Sequence, residues 1–94
     1  EKLGLAVQSL SPSLARRFGY EGREGVLVSE VERGGKAARA GIKAGSLILE
    51  VDREPVRDLE EFRRAMQGTV DDGQVLLLVL EGRFARYVAL DVDG

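Results

Sequence analysis

The stretch from Gly34 to Val51, GGKAARAGIKAGSLILEV, constrains the fold of this chain more than any other. Residues 36–40 have the composition of a short helix, and Gly41 stands where a left-handed residue would end it. Gly45 marks a second turn before the apolar run at residues 47–51, which predicts a buried strand. A short helix, a tight turn and a strand in so few residues predict a compact unit packed against a sheet.

Composition excludes several classes of function. The 94 residues include no cysteine and no histidine, which excludes thiol nucleophiles, a Ser-His-Asp triad and zinc sites built from those side chains. The 14 basic and 16 acidic residues are spread along the chain, which argues against nucleic-acid binding. No apolar run reaches the roughly 18 residues of a membrane span. We therefore expect one domain, residues 1–94, excised from a longer protein and without catalytic site, metal or cofactor.

Helix signals flank the opening stretch on both sides. Ser11 and Pro12 are typical of a helix start, and a glycine at position 19 predicts the end of that helix. Leu14 and Phe18 are four residues apart, so we expect both to pack on the core. A longer helix is predicted from Asp58 to a glycine stop at position 68, with a capping-box glutamate three residues after its start.

Strand signals fill most of the remaining chain. Strands are predicted at residues 3–7, 26–31, 47–51, 75–80 and 87–92, the last two forming a hairpin. A polar turn with a proline is predicted at residues 52–56. The order indicates a mostly β chain of the α+β class, a partly open β-barrel or sandwich capped by two or three short helices.

These residues resemble the PDZ domain family. Residues 34–48 resemble its signature passage, and Leu3-Gly4-Leu5 is similar to its carboxylate-binding loop. The element order resembles the bacterial permuted arrangement, in which the ligand strand lies near the N-terminus and a helix, here residues 11–20, follows it. Residues 75–90 resemble the second, C-terminal PDZ domain of HtrA/DegP/Do-like periplasmic serine proteases.

Three positions depart from the family pattern. The family usually has Ser-Pro at Gly35-Lys36, often has Asp at Ser46, and often has Asn-Gly or Asp-Gly at Asp52-Arg53. We therefore expect the last of these not to form a two-residue type I′ turn. All three departures are expected to affect packing and turns and to leave the ligand groove intact.

The resemblance implies a groove in which a peptide adds as a strand to a sheet edge beside a helix. Successive N–H groups of a glycine-bearing loop would hold the terminal carboxylate of that peptide. The implied site residues are Leu3, Gly4 and Leu5 in the loop, Ala6 and Val7 in the strand, and Phe62, Ala65 and Met66 in the helix. Their apolar side chains predict a ligand that ends in Val, Leu, Ile, Phe or Ala.

The resemblance implies a non-catalytic module of a trypsin-like serine protease in the bacterial periplasm or cell envelope. Such a module would bind C-terminal or extended hydrophobic peptide segments of unfolded proteins and regulate substrate recognition or assembly. One alternative is a docking module between domains or subunits of an oligomeric protease. Another is a PDZ domain of a different parent, such as a tail-specific or intramembrane protease or a secretion component.

Overall fold

The computed structural model describes residues 3–69 and 73–92. Along these residues the elements are β1 (Leu5–Ser9), α1 (Pro12–Phe18), β2 (Val26–Val31), α2 (Lys36–Arg39), β3 (Leu47–Val51), β4 (Glu54–Pro55), α3 (Leu59–Gln67), β5 (Gln74–Glu81) and β6 (Phe84–Asp91). Of the helices found in this part of the chain, none has the length and apolar character needed to cross a membrane.

All strands belong to one antiparallel sheet. Its order is β1-β2-β3-β5-β6, and β4 pairs with β3 beside this path. The two ends of the sheet, β1 and β6, do not pair with each other, so the sheet stays open. The predicted fold class, mostly β with short capping helices, is confirmed.

The sheet buries side chains on both of its faces. Val28, Ile48 and Leu77 belong to the larger cluster, to which α2 and α3 contribute Ala37 and Phe62. The smaller cluster, on the other face, contains Leu27, Leu47 and Leu80 together with residues of α1. Adjacent residues of one strand enter different clusters because successive side chains point to opposite faces of a sheet. The helices therefore cover both faces of the sheet.

The predicted ends of α1 are confirmed, but one predicted core contact is wrong. The Ser11 hydroxyl accepts a hydrogen bond from the backbone N–H of Leu14 at 3.2 Å. Gly19 is left-handed at the C-terminal end of the helix. Phe18 is 39% exposed, whereas Ala15 is buried. The side of α1 that faces the sheet is thus centred on Ala15, and Phe18 lies at its margin, close to Gly45.

The turn between β3 and β4 corrects a prediction. Val51 pairs with Glu54, so only Asp52 and Arg53 connect the strands, and both have positive φ, at 52° and 70°. Positive φ at both central residues is the signature of a type I′ turn, which the sequence had argued against. The Asp52 N–H donates to the carbonyl of Leu76 at 2.7 Å, and its Oδ1 accepts from the N–H of Leu76 at 2.9 Å. These two bonds to β5 hold the turn in place.

The first strand is shifted relative to its prediction. It begins at Leu5 and ends at Ser9, whereas the apolar run predicted residues 3–7. Gly4 has φ of +77°, which is incompatible with an extended strand, so Leu3 and Gly4 form a bend before β1. This bend leads directly into the first residue of β1.

Candidate functional site

The candidate site is a groove between β1 and α3. Because β1 ends the sheet, its second edge has no strand partner among residues 3–69 and 73–92. The helix α3 faces this strand, and side chains of both elements enter the larger core cluster. An unpaired strand edge presents backbone N–H and C=O groups on which an extended peptide can pair.

At one end of the groove, the bend before β1 forms a cradle of backbone donors. The carbonyl of Leu3 accepts from the N–H of Ala37 at 3.0 Å, and that of Gly4 accepts from the N–H of Glu32 at 2.7 Å. In a trans peptide group the C=O and N–H point in opposite directions. The N–H groups of Gly4 and Leu5 therefore both point away from the segment of residues 32–37. Two successive N–H groups with a common direction form a nest that can bind an anion.

The segment of residues 32–37 holds this cradle from behind. A Cβ on Gly4 would lie 3.3 Å from the Cα of Gly35 and 3.2 Å from Oε1 of Glu32. Glycine is needed at position 4 both for its left-handed φ and for this close approach. Gly35, the first residue of the Gly35-Lys36 departure, therefore lies directly against the cradle.

Except for Ala6, the predicted apolar site residues lie in or beside one cluster. Leu3, Leu5 and Phe62 are buried, with 4%, 5% and 6% of their surface exposed. The half-buried members that pack against this cluster are Val7, Ala65 and Met66. Ala6, also half-buried, points to the opposite side of β1, since it pairs with exposed Glu30 on β2. Phe62 is thus part of the floor of the groove, while Ala65 and Met66 retain accessible surface.

A second hollow opens on the other side of the cradle, between β1 and β2. It has a volume of about 370 Å³ and is lined by Gly4, Leu5, Ala6, Glu30, Val31 and Glu32. Its lining residues come from the bend, β1, β2 and Glu32, and not from α3. Two exposed glutamates thus border the cradle, so an anion bound there would be held by backbone N–H groups close to like charge.

One contact at the other end of the groove was not predicted. The backbone N–H of Leu59, the first residue of α3, donates to the hydroxyl of Ser9 in β1 at 3.3 Å. The first N–H groups of a helix have no partner within the helix, so Leu59 was identifiable as an unsatisfied donor. Its partner lies 50 residues earlier in the chain and was not identifiable from local sequence.

The start of α3 is fixed by charged side chains. Oδ1 of Asp58 accepts from the N–H of Glu61 at 2.9 Å, which confirms the predicted cap. The Glu61 carboxylate accepts from the backbone N–H of Arg57 at 2.8 Å, one residue before the position that a capping box requires. It also accepts from the Arg57 guanidinium at 2.9 Å, and these bonds lower the pKa of Glu61. The helix wall thus begins at a defined point beside β1.

Comparison with known proteins places this geometry in a family. A PDZ domain model matches residues 27–81. The chain is 35% identical to a probable periplasmic serine endoprotease DegP-like of Chlamydia trachomatis, over 99% of this chain and 19% of that protein. It therefore spans about a fifth of the length of the curated relatives that it matches.

Solved structures give the same result. The PDZ domain of HtrA3, bound to the phage-derived ligand FGRWV, superposes with a TM-score of 0.78 at 26% identity, covering 95% of this chain and 81% of that one. The HtrA-type protease AlgW, solved with a decapeptide, gives a TM-score of 0.77 at 30% identity, covering 95% of this chain and 27% of that one. The open sheet agrees with these matches, and the chain belongs to the PDZ domain family.

Proposed function

We propose that this domain binds the C-terminal ends of peptides by strand addition to β1. The terminal carboxylate would accept hydrogen bonds from the N–H groups of Gly4 and Leu5. The last apolar side chain would enter the groove between Leu5 and the accessible parts of Ala65 and Met66. The observation that carries this proposal is that the free edge of β1 begins directly at the donor cradle.

The solved relatives support peptide binding as the activity. The HtrA3 PDZ domain was crystallised with a peptide ligand that ends in valine, and AlgW was solved with a decapeptide. A valine terminus suits a pocket lined by aliphatic and thioether side chains. We extend this behaviour to the present chain on the geometry of its own cradle and groove.

The wider context is also a proposal. We infer that residues 1–94 form one PDZ domain of a DegP-like serine protease, in which the domain helps to select or position substrates. The relatives are named periplasmic endoproteases, which supports a periplasmic location for the parent. Cleavage of peptide bonds would then belong to other parts of the parent protein.

The first test compares two forms of one peptide. We expect a peptide ending in valine with a free carboxylate to bind at least about tenfold more tightly than its C-terminal amide, because hydrogen bonds to a charged group contribute about 1.5–3 kcal/mol. Isothermal titration gives the two affinities, and NMR shifts should concentrate at the amides of residues 3–7 and in α3. Equal affinity for the two forms would contradict carboxylate capture.

Matched glycine variants test the cradle itself. Gly4→Ala places a Cβ against Glu32 and Gly35 and disfavours the left-handed φ, so the two N–H groups should lose their common direction. Gly19→Ala has nearly the same φ, +79°, but its Cβ would meet nothing within 4 Å. We expect Gly4→Ala to lose about fivefold or more in affinity for the free-acid peptide, and Gly19→Ala to bind as wild type despite similar backbone strain.

A further inference from the structure

The hydrogen bond between Ser9 and Leu59 joins the two walls of the groove at the end opposite the cradle. Ser9 is the last residue of β1, and Leu59 is the first residue of α3. The Oγ of Ser9 lies 3.3 Å from the backbone nitrogen of Leu59. The Leu59 N–H is one of the donors that a helix leaves unsatisfied at its start, so this contact has a physical role in the free domain.

The Ser9 side chain bridges the two walls at this end of the groove. A peptide paired with β1 must lie roughly 4.8 Å from it in the plane of the sheet and still fit beside the helix. Because the Ser9 hydroxyl touches the Leu59 backbone directly, a ligand main chain cannot pass between the two groups while this bond is present. At the cradle end, by contrast, Met66 and Ala65 are half-buried, so both retain some accessible surface on α3.

We propose that the Ser9–Leu59 hydrogen bond closes the far end of the groove and limits how much of a ligand can pair with β1. This inference rests on the proposed peptide-binding function. The strand available to a ligand then runs from Leu5 to Gln8, which corresponds to about four ligand residues at roughly 3.3 Å per residue. Ser9 is the positioning residue, since it acts through its bond to Leu59 and need not contact the ligand.

The test uses nested peptides with one apolar C-terminus. In the wild-type domain we expect a five-residue and a ten-residue peptide to bind within about twofold of each other, because residues beyond the fourth gain no strand pairing. In Ser9→Ala the groove can open, and the longer peptide should bind about threefold or more tightly than the shorter one. Ser9→Thr keeps the hydroxyl, so the ratio of its affinities for the two peptides should equal that of the wild type. Ser13→Ala, on the exposed side of α1, serves as the control.

Hydrogen exchange of the Leu59 amide tests the bond without any ligand. We expect this amide to be protected in the free wild-type domain and in Ser9→Thr, and to exchange faster in Ser9→Ala. Two outcomes would overturn the closed end of the groove without contradicting peptide binding. One is an equally protected Leu59 amide in Ser9→Ala, and the other is an unchanged ratio of the affinities for the ten-residue and five-residue peptides. Failure of every peptide to bind would overturn the proposed function, and the length limit with it.

Discussion

Single residues decide where this backbone adopts left-handed geometry. Gly4 does so at the cradle, where glycine is the residue type that the conformation favours. Asp52 and Arg53 do so in the turn between β3 and β4, where neither is glycine. Asp52 gains two hydrogen bonds with Leu76 in return, whereas Arg53 is exposed and forms no comparable bond to β5 in the described structure. Arg53 is therefore the more strained of the two positions.

Replacing Arg53 with glycine should stabilise the domain. A left-handed φ costs a non-glycine residue about 1–2 kcal/mol, and Arg53→Gly removes this cost. Because glycine has a larger conformational entropy in the unfolded state, part of that gain is offset, and the free energy of unfolding should rise by about 0.5–1 kcal/mol. Urea unfolding measures this gain. Arg23→Gly removes the same side chain from an exposed turn where φ is not positive, so it should be neutral or slightly destabilising. Similar changes in both variants would show that charge, not backbone strain, is responsible.

At the scale of elements, the groove depends on how α3 is held at its start. Asp58 caps the helix, the carboxylate of Glu61 binds Arg57, and Ser9 binds Leu59. Of these contacts, only the last joins the helix to β1. The first two define where the helix begins, so they determine indirectly where the far end of the groove lies.

The contact of Glu61 with Arg57 should make stability depend on pH in the acid range. The hydrogen bonds from Arg57 lower the pKa of Glu61 below its ordinary value of 4.5, so the folded state binds a proton less readily than the unfolded state. This stabilisation is present above pH 4.5 and is lost as the pH falls through the folded pKa. Glu61→Gln should therefore lower the melting temperature more at pH 7 than at pH 3.

Glu60→Gln is the matched control for that comparison. Glu60 pairs with Arg64 on the exposed side of the same helix turn, and such surface pairs contribute little. The melting temperature of Glu60→Gln should therefore differ little from that of the wild type at either pH. A Glu61→Gln effect that is as large at pH 3 as at pH 7 would mean that the side chain acts through packing and not through its charge.

At the scale of the whole molecule, the sheet separates two cores with different relations to the groove. The larger cluster contains Leu5 and Phe62, which form the floor beneath the groove. The smaller cluster, with Leu27 and Leu80, lies under α1 on the opposite face. Stability should depend on both clusters, whereas recognition should depend on the first.

Two truncation variants separate the contributions of the two clusters to stability and to peptide affinity. Leu27→Ala and Phe62→Ala should each destabilise the domain by about 3 kcal/mol, since each removes a buried side chain from a packed cluster. Peptide affinity of the folded domain should stay within about twofold for Leu27→Ala and fall severalfold for Phe62→Ala, whose cavity lies beneath the groove. Circular dichroism at the titration temperature verifies that both are folded. Equal losses of affinity would show that the two cores are coupled through the sheet.

The sequence by itself determined the features that depend on neighbours within about four residues. The Ser11 and Asp58 caps, the glycine stop at Gly19 and the main strands were predictable because their hydrogen bonds and apolar periodicity are local. The loop and helix residues of the candidate site were implied by resemblance to the PDZ family. Their role in binding remains a prediction that the proposed titrations address.

Only the tertiary structure decided the features that depend on residues far apart in the chain. The left-handed turn at Asp52-Arg53 is held by Leu76, and the donor cradle at Gly4 is held by the segment that ends at Ala37. The closure of the groove needs Ser9 to meet a helix that starts 50 residues later. These contacts follow from strand order and register, which local propensity does not encode, because a turn or a hydroxyl finds such partners only once the sheet has formed.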